Sequence, residues 1–340
     1  MEKAYFCTAE ELVRRGKDDL PKQFQSGEHL IYSSPATLAF NSPGAEGFGV
    51  KRAGLAVPGS IMLIVAPGCC GRNTSMISSM KEYNNRFFYL CMDETDIVTG
   101  RHLKKIPKAV ASICESLEKK PSVVMICITC VDALLGTDME RVCRKAEEKA
   151  GLPVRPCYMY ALTREGRKPP MVHVRQSLYS LLEPGRKKGN VVNLLGYFSP
   201  LVDDCELYTL LQDAGVKTIR EISRCEDFEE YKKMSEANFN LVLHPEARFA
   251  AEDFHDRLKI PFIELRRLYQ IDKIESQYQA FGAAIGAEFH AEDQKKQAQE
   301  AIESFRKVCP NPVFAIGECA NADPFELSLA LVKYGFKVAE

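Results

Sequence analysis

The sequence has no apolar run long enough to span a bilayer, and its first residues, MEKAYFCTAEELVRRGKDD, are amphipathic and charged where a secretory leader would be apolar. Neither a membrane span nor a leader is expected, and a cytoplasmic protein is. Excess charge of either sign is also missing: 45 Lys and Arg against 46 Asp and Glu leave a net charge of -1, which argues against a chain held on nucleic acid by phosphate contacts. Histidine is scarce, 6 in all, and no two have metal-ligand spacing. Gly44-Ala45-Glu46-Gly47-Phe48-Gly49 has the wrong order for a dinucleotide fingerprint, and residues 68–75 lack the lysine of a phosphate loop. Without secretion, the glycosylation sequon Asn73-Thr74-Ser75 is a chance match.

What is present is an ordinary globular composition, 46% hydrophobic and 27% charged, over 340 residues, enough for two or three domains. Cysteine is abundant at 13. In a cytoplasmic chain such a surplus means metal, redox chemistry or plain burial more often than disulfides. Cys91, Cys114, Cys143 and Cys157 fall inside apolar periodic stretches and read as small buried hydrophobes.

Short, nearly unbroken apolar runs at 61–65, 123–128, 191–195, 241–243 and 313–316 read as strands buried on both faces. They alternate with amphipathic helices such as 106–117 and 139–150, which predicts an α/β fold of doubly wound, Rossmann-like domains with parallel sheets. Ligands then belong beyond the carboxyl ends of the strands. An internal repeat supports more than one such domain. Asn190 to Gly196, Glu206-Leu207, Gly215 and Lys217 reappear as Asn311 to Gly317, Glu326-Leu327, Gly335 and Lys337. Each copy reads strand, glycine turn, acidic helix start, glycine stop, new strand. The expected division is 1–187, carrying the reactive cysteines, 188–290, a second Rossmann-like domain, and 291–340, a linking helix and the truncated start of a third.

Among candidate sites, Cys127-Ile128-Thr129-Cys130 is formally a CxxC pair, suited to redox chemistry or half a zinc site. On a strand, residues three apart point to opposite faces, so Cys127 is assigned to the core and Cys130 to the exposed strand end. The vicinal pair Cys69-Cys70 lies in a small-residue turn leading toward a helix predicted over 73–83, a setting that favours thiolate. His173 is read as structural. Arg164 and Arg167, with Lys168, lie in a Gly/Pro-containing loop suited to clamping an anion, against the plainer reading of a solvated basic loop; Arg101, His102, Lys104 and Lys105 take that plainer reading too.

Taken in order, Asn41-Ser42-Pro43-Gly44-Ala45, Pro67-Gly68-Cys69-Cys70-Gly71-Arg72, Met92-Asp93-Glu94-Thr95-Asp96 through Gly100, and Ile128-Thr129-Cys130 with Gly136 and Asp138 resemble the nitrogenase component 1 family. Pro153-Val154, Asn193 to Gly196 and Ala237 to Val242 extend the resemblance over most of the chain. The family includes nitrogenase subunits, protochlorophyllide reductases, the nickel-sirohydrochlorin reductive cyclase and cofactor-assembly scaffolds. This chain is most similar in pattern to the small tetrapyrrole-type reductases.

The resemblance implies three Rossmann-like domains and an iron–sulfur cluster held by cysteines at a subunit interface. Asn41 stands where the family has one of those cysteines; Cys70, or Cys69, and Cys130 take the other two ligand places. Two ligands per chain across a two-fold give the four thiolates of one [4Fe-4S] cluster, in a homodimer or a heteromer with a paralogous subunit. Asn41 and Arg72 would tune its potential, and Glu94 and Asp96 would supply protons, unless they serve in capping or on a solvated face. An ATP-hydrolysing iron–sulfur reductase, the only ATP binder, would then feed electrons through the cluster to a small organic substrate such as a tetrapyrrole. The alternative is a noncatalytic scaffold for a cluster or precursor, or a member without one. Beyond Val191 there is no counterpart of the cysteine and histidine that hold the iron–molybdenum cofactor, so dinitrogen is not the expected substrate.

Overall fold

The structure, a computed structural model, describes residues 9–15, 49–68, 78, 81–159, 168–316 and 323–339. They form two compact units. One takes its residues from Tyr32–Pro200 and Thr218–Phe262, the other from Met1–Ile31, Leu201–Lys217 and Ile263–Glu340. None of the described helices is long and apolar enough to cross a membrane.

The larger unit opens with β1 (Ile61–Ala66), β2 (Phe87–Cys91), β3 (Val124–Ile128) and β4 (Val154–Tyr158), paired in the parallel order β2-β1-β3-β4. Every residue of β1 and β3 is buried, as their unbroken apolar runs require. Between the strands run α1 (Glu94–Thr99), α2 (His102–Ser116), α3 (Cys130–Leu134) and α4 (Met139–Ala150). Ile106 and Val110 of α2 and Val142, Cys143 and Ala146 of α4 pack on one face of this sheet, against Leu63, Val65, Ile126 and Ile128. The opposite face, Met62, Ile64, Met125 and Cys127, joins one continuous core with Leu178, Tyr179, Leu195, Tyr231 and Phe254.

A second sheet, β6-β5-β7-β8, comprises β5 (Val191–Leu195), β6 (Thr218–Glu221), β7 (Phe239–Val242) and β8 (Phe262–Glu264), with β5 parallel to both β6 and β7. The sequence repeat is realised as β5, helix Glu206–Asp213, a left-handed glycine at Gly215 and β6, and again as β9 (Val313–Ala315), helix Pro324–Lys333, a left-handed Gly335 and the parallel strand β10 (Lys337–Ala339).

Two expectations need correction. The run at 313–316 is not buried on both faces: β9 belongs to a two-stranded sheet and Val313 is exposed, because a sheet of two strands has too few neighbours to enclose it. Cys143 and Cys157 are buried as expected, but Cys91 is exposed and Cys114 only half-buried. Phe87, Tyr89 and Cys91 share one face of the edge strand β2, and only Phe87 at its start packs into the core, so Tyr89 and Cys91 lie where that edge is left uncovered.

Candidate functional site at the carboxyl ends of β1 and β3

Growth of the first sheet reverses between β1 and β3: the chain adds β2 on one side of β1, then crosses to place β3 on the other. In open α/β sheets that reversal leaves a crevice beyond the carboxyl ends of the two strands, where ligands bind. Val65 and Ile128 are partners in register, so the chain leaves both strands at one level. From β1 it continues through Pro67-Gly68 toward Cys69 and Cys70; from β3 it passes Thr129 and begins α3 at Cys130. The two cysteine segments inferred from sequence thus leave adjacent strands at the same end of the sheet. Cys69, Cys70, Asn41, Arg72, Arg164 and Arg167 lie outside the described residues. Lys168 donates to Gln176 Oε1 at 3.1 Å and sits 4.5 Å over the Phe249 ring.

Of the CxxC motif, Cys127 lies on β3 and Cys130 opens α3 beyond the strand. Cys127 is buried in the core, opposite Cys157 on β4. A thiol hydrogen bond between them favours the thiolate of Cys127 and pushes the Cys157 thiol up.

A buried polar network joins α1, α2 and α3. Asp93 caps α1 by accepting the Asp96 N–H at 2.7 Å. Asp96 is buried, with Lys105 Nζ at 2.6 Å and Arg101 Nε at 3.4 Å. The Lys105 hydrogen bond holds its carboxyl below the ordinary carboxylate value against the opposing effect of burial. Of the two carboxylates read as proton suppliers or as capping or solvated groups, Asp96 is thus buried and paired, not solvated, while Glu94 is exposed on the first turn of α1.

His102 overturns a second expectation. Instead of a solvated basic residue it is 1% exposed, with Nδ1 3.0 Å from the Asp96 carbonyl and Nε2 2.9 Å from Asp132 Oδ1. The signal was present in the sequence: His102, Ile106 and Val110 recur at helical spacing and share the buried face of α2. Asp132 Oδ1 also accepts from Thr137 Oγ1 at 3.1 Å, and its carbonyl from the Thr137 N–H at 3.1 Å. Asp132 Oδ2 and Thr129 Oγ1 are buried without a hydrogen-bond partner among the described residues. Native interiors keep such atoms where a further polar group completes them, and both flank Cys130 in sequence. Val98, Leu134 and Leu135, in the segments that follow β2 and β3, expose apolar side chains.

No group of three or more His, Cys, Asp or Glu side chains able to hold a metal occurs among the described residues. A separate cavity of about 640 Å³ runs along the outer side of β4, lined by Glu140, Arg144, Glu147, Arg155, His173 and Asp253. It lies away from the strand-end crevice.

Residues 46–336 match the family model for nitrogenase component 1 type oxidoreductases. The nitrogenase iron-molybdenum cofactor biosynthesis protein NifE of Nostoc sp. (strain PCC 7120 / SAG 25.82 / UTEX 2576) is 26% identical over 247 residues, 70% of this chain and 51% of that protein. NifE of Rhizobium meliloti (strain 1021) is 31% identical over 162 residues, 46% of this chain and 34% of that protein. The chain spans about half or less of the length of these relatives. Among solved structures, nitrogenase Cp1 at pH 6.5 superposes with a TM-score of 0.64 at 18% identity, covering 85% of this chain and 68% of that one, a likeness of fold. The chain belongs to the nitrogenase component 1 type oxidoreductase family.

Proposed function

We propose that the chain is a scaffold subunit in the assembly of a metal–sulfur cofactor, holding a cluster or precursor at the β1–β3 crevice and passing it on. The observation that carries this reading is that the matched relatives are named as cofactor biosynthesis proteins. It therefore takes precedence over an electron relay to an organic substrate.

The cluster is cargo in this reading. Cys130 and Cys70, or Cys69 in its place, are its proposed thiolate ligands, and Asn41 and Arg72 its neighbours. The shared exit level of β1 and β3 and the unpartnered hydroxyl of Thr129 are compatible with a group bound there. A second copy or a paralogous subunit would complete four thiolates for a [4Fe-4S] cluster, and exposed Val98, Leu134 and Leu135 suit such an interface. Arg164 and Arg167 remain proposed contacts for an anionic partner of the cargo. The division 1–187, 188–290 and 291–340 remains the proposed domain plan, and the cytoplasm the proposed compartment.

The test begins with protein purified anaerobically and reconstituted with iron and sulfide, followed by incubation with a cluster-free acceptor protein. Iron and acid-labile sulfide should bind and then move to the acceptor, with no substrate reduced when an ATP-dependent iron–sulfur reductase is added. Multiple-turnover reduction of an organic substrate would instead establish the relay. Folded protein that takes up no iron, alone or with a paralogous subunit, would end both readings.

A further inference from the structure

Residues 130–134 form a helix of five residues, too short to be stable without anchorage. Of its described side chains Asp132 is buried and Val131 packs half-buried against the core. The most buried anchor of the segment that opens with Cys130 is thus a carboxylate. Asp132 closes the following turn on itself: Thr137 Oγ1 and the Thr137 N–H both bond to it, across a left-handed Gly136. His102, from the start of α2, clamps the same oxygen that Thr137 bonds. A carbonyl only accepts, so Nδ1 donates to the Asp96 oxygen; the 2.9 Å contact of Nε2 with Asp132 Oδ1 then holds a second proton, carried by the ring or by the carboxyl. Asp96 is in turn fixed by Lys105 and Arg101.

We propose that His102 and Asp132 are positioning residues for Cys130: the pair sets the orientation of the helical turn that opens with this residue beyond the carboxyl end of β3. The assignment deepens the scaffold reading, in which Cys130 is a ligand, and is tested apart from it by the reactivity of that thiol. An apolar anchor would hold the helix against the sheet but leave its rotation free, whereas a hydrogen bond to one carboxylate oxygen fixes both. Thr129 Oγ1 and Asp132 Oδ2, before and after Cys130 in sequence and without a partner among the described residues, are what such an arrangement leaves for a further polar group to complete.

The experiment uses the two amide replacements of His102. The amide nitrogen of His102→Asn stands in for Nδ1 and keeps only the donor to Asp96; that of His102→Gln stands in for Nε2 and keeps only the donor to Asp132. Asp132→Asn removes the carboxylate. Two readouts are taken on the full chain. The first is the alkylation rate of the Cys130 thiol in metal-free protein, by peptide mapping with exposed Cys91 as internal control. The second is iron retention and the EPR spectrum after reconstitution.

His102→Asn and Asp132→Asn should change the Cys130 rate, but not that of Cys91, and weaken iron retention by roughly 10- to 100-fold. His102→Gln should stay near the parent protein in both. If all three variants fold and keep the parent's Cys130 rate, the positioning role is refuted, whatever the iron result. If Cys130 reactivity responds as expected but the parent binds no iron, the positioning role stands and the scaffold reading fails. Should Asp132→Asn not fold, the contrast between the two His102 variants decides, and equal behaviour of the two overturns the proposal.

Discussion

Cys127 and Cys157 face each other in register across β3 and β4, in a core that neither leaves and where the Cys157 thiol donates to the Val50 carbonyl at 3.6 Å. Cys127 is therefore committed to a partner other than Cys130, three residues on. Cys127→Ala should leave iron uptake unchanged and cost about 1 kcal/mol of stability, the loss of one buried heavy atom and its packing. Denaturant unfolding beside iron analysis checks this; loss of iron in a folded variant would return Cys127 to the list of ligands.

The acid limb of stability should carry the mark of Asp96. Its carboxyl sits below its ordinary value in the folded chain, chiefly through the Lys105 hydrogen bond, so the unfolded chain takes up the proton first. Its contribution is present above the ordinary carboxylate value and is lost as pH falls through the lowered folded one. Asp96→Asn should thus be less stable than the parent at neutral pH, and the gap should narrow from about pH 5 to about pH 3. Urea midpoints across that range test it, and a constant gap would show that Asp96 acts through its hydrogen-bond geometry alone.

At the second sheet, Gly196 closes β5 at φ 140°, and a Cβ placed there would meet the His244 backbone nitrogen at 2.7 Å. Its carbonyl accepts from Nε and Nη2 of buried Arg175, which also bonds Glu246 at 2.8 Å. Gly196→Ala therefore meets backbone strain and a backbone clash together, and should cost on the order of 3 kcal/mol. Gly215→Ala, at φ 86° with open space around it, faces the strain alone and should cost about 1–2 kcal/mol. Thermal unfolding of the two variants side by side separates clash from strain.

How much of this was legible in the sequence follows from the kind of signal each element carries. β1, β3 and β5 are buried on both faces, so their apolar runs are unbroken and read directly. β9 carries a similar run, but the number of strands beside it is a tertiary fact that a local run does not encode. His102 was hidden by composition: Arg101, Lys104 and Lys105 around it suggest a solvated stretch, and only the phase shared with Ile106 and Val110 reveals the buried face. Asp132 gave no local signal, since its partner His102 lies 30 residues away. The cysteines after β1 and β3 could be brought to one place once parallel strands were inferred, because adjacent parallel strands end on the same side.

The two copies of the repeat put the same residue type to different use, and that difference is measurable. Glu206 accepts the Tyr278 hydroxyl at 2.9 Å. Glu326, its counterpart, accepts the Tyr269 N–H at 2.8 Å and the Gln270 side chain at 3.0 Å, where Gln270 is the fully buried residue that precedes helix Ile271–Ile285. Glu206→Ala leaves a single tyrosine hydroxyl to find another partner, at about 1 kcal/mol. Glu326→Ala leaves a backbone donor and a buried amide unsatisfied together, and should cost about 2–4 kcal/mol. Hydrogen exchange along 269–285 should accelerate in the second variant and not in the first. Equal destabilisation would mean that the Tyr269 and Gln270 donors are readily satisfied by water, and that Glu326 closes no more of its unit than Glu206 does.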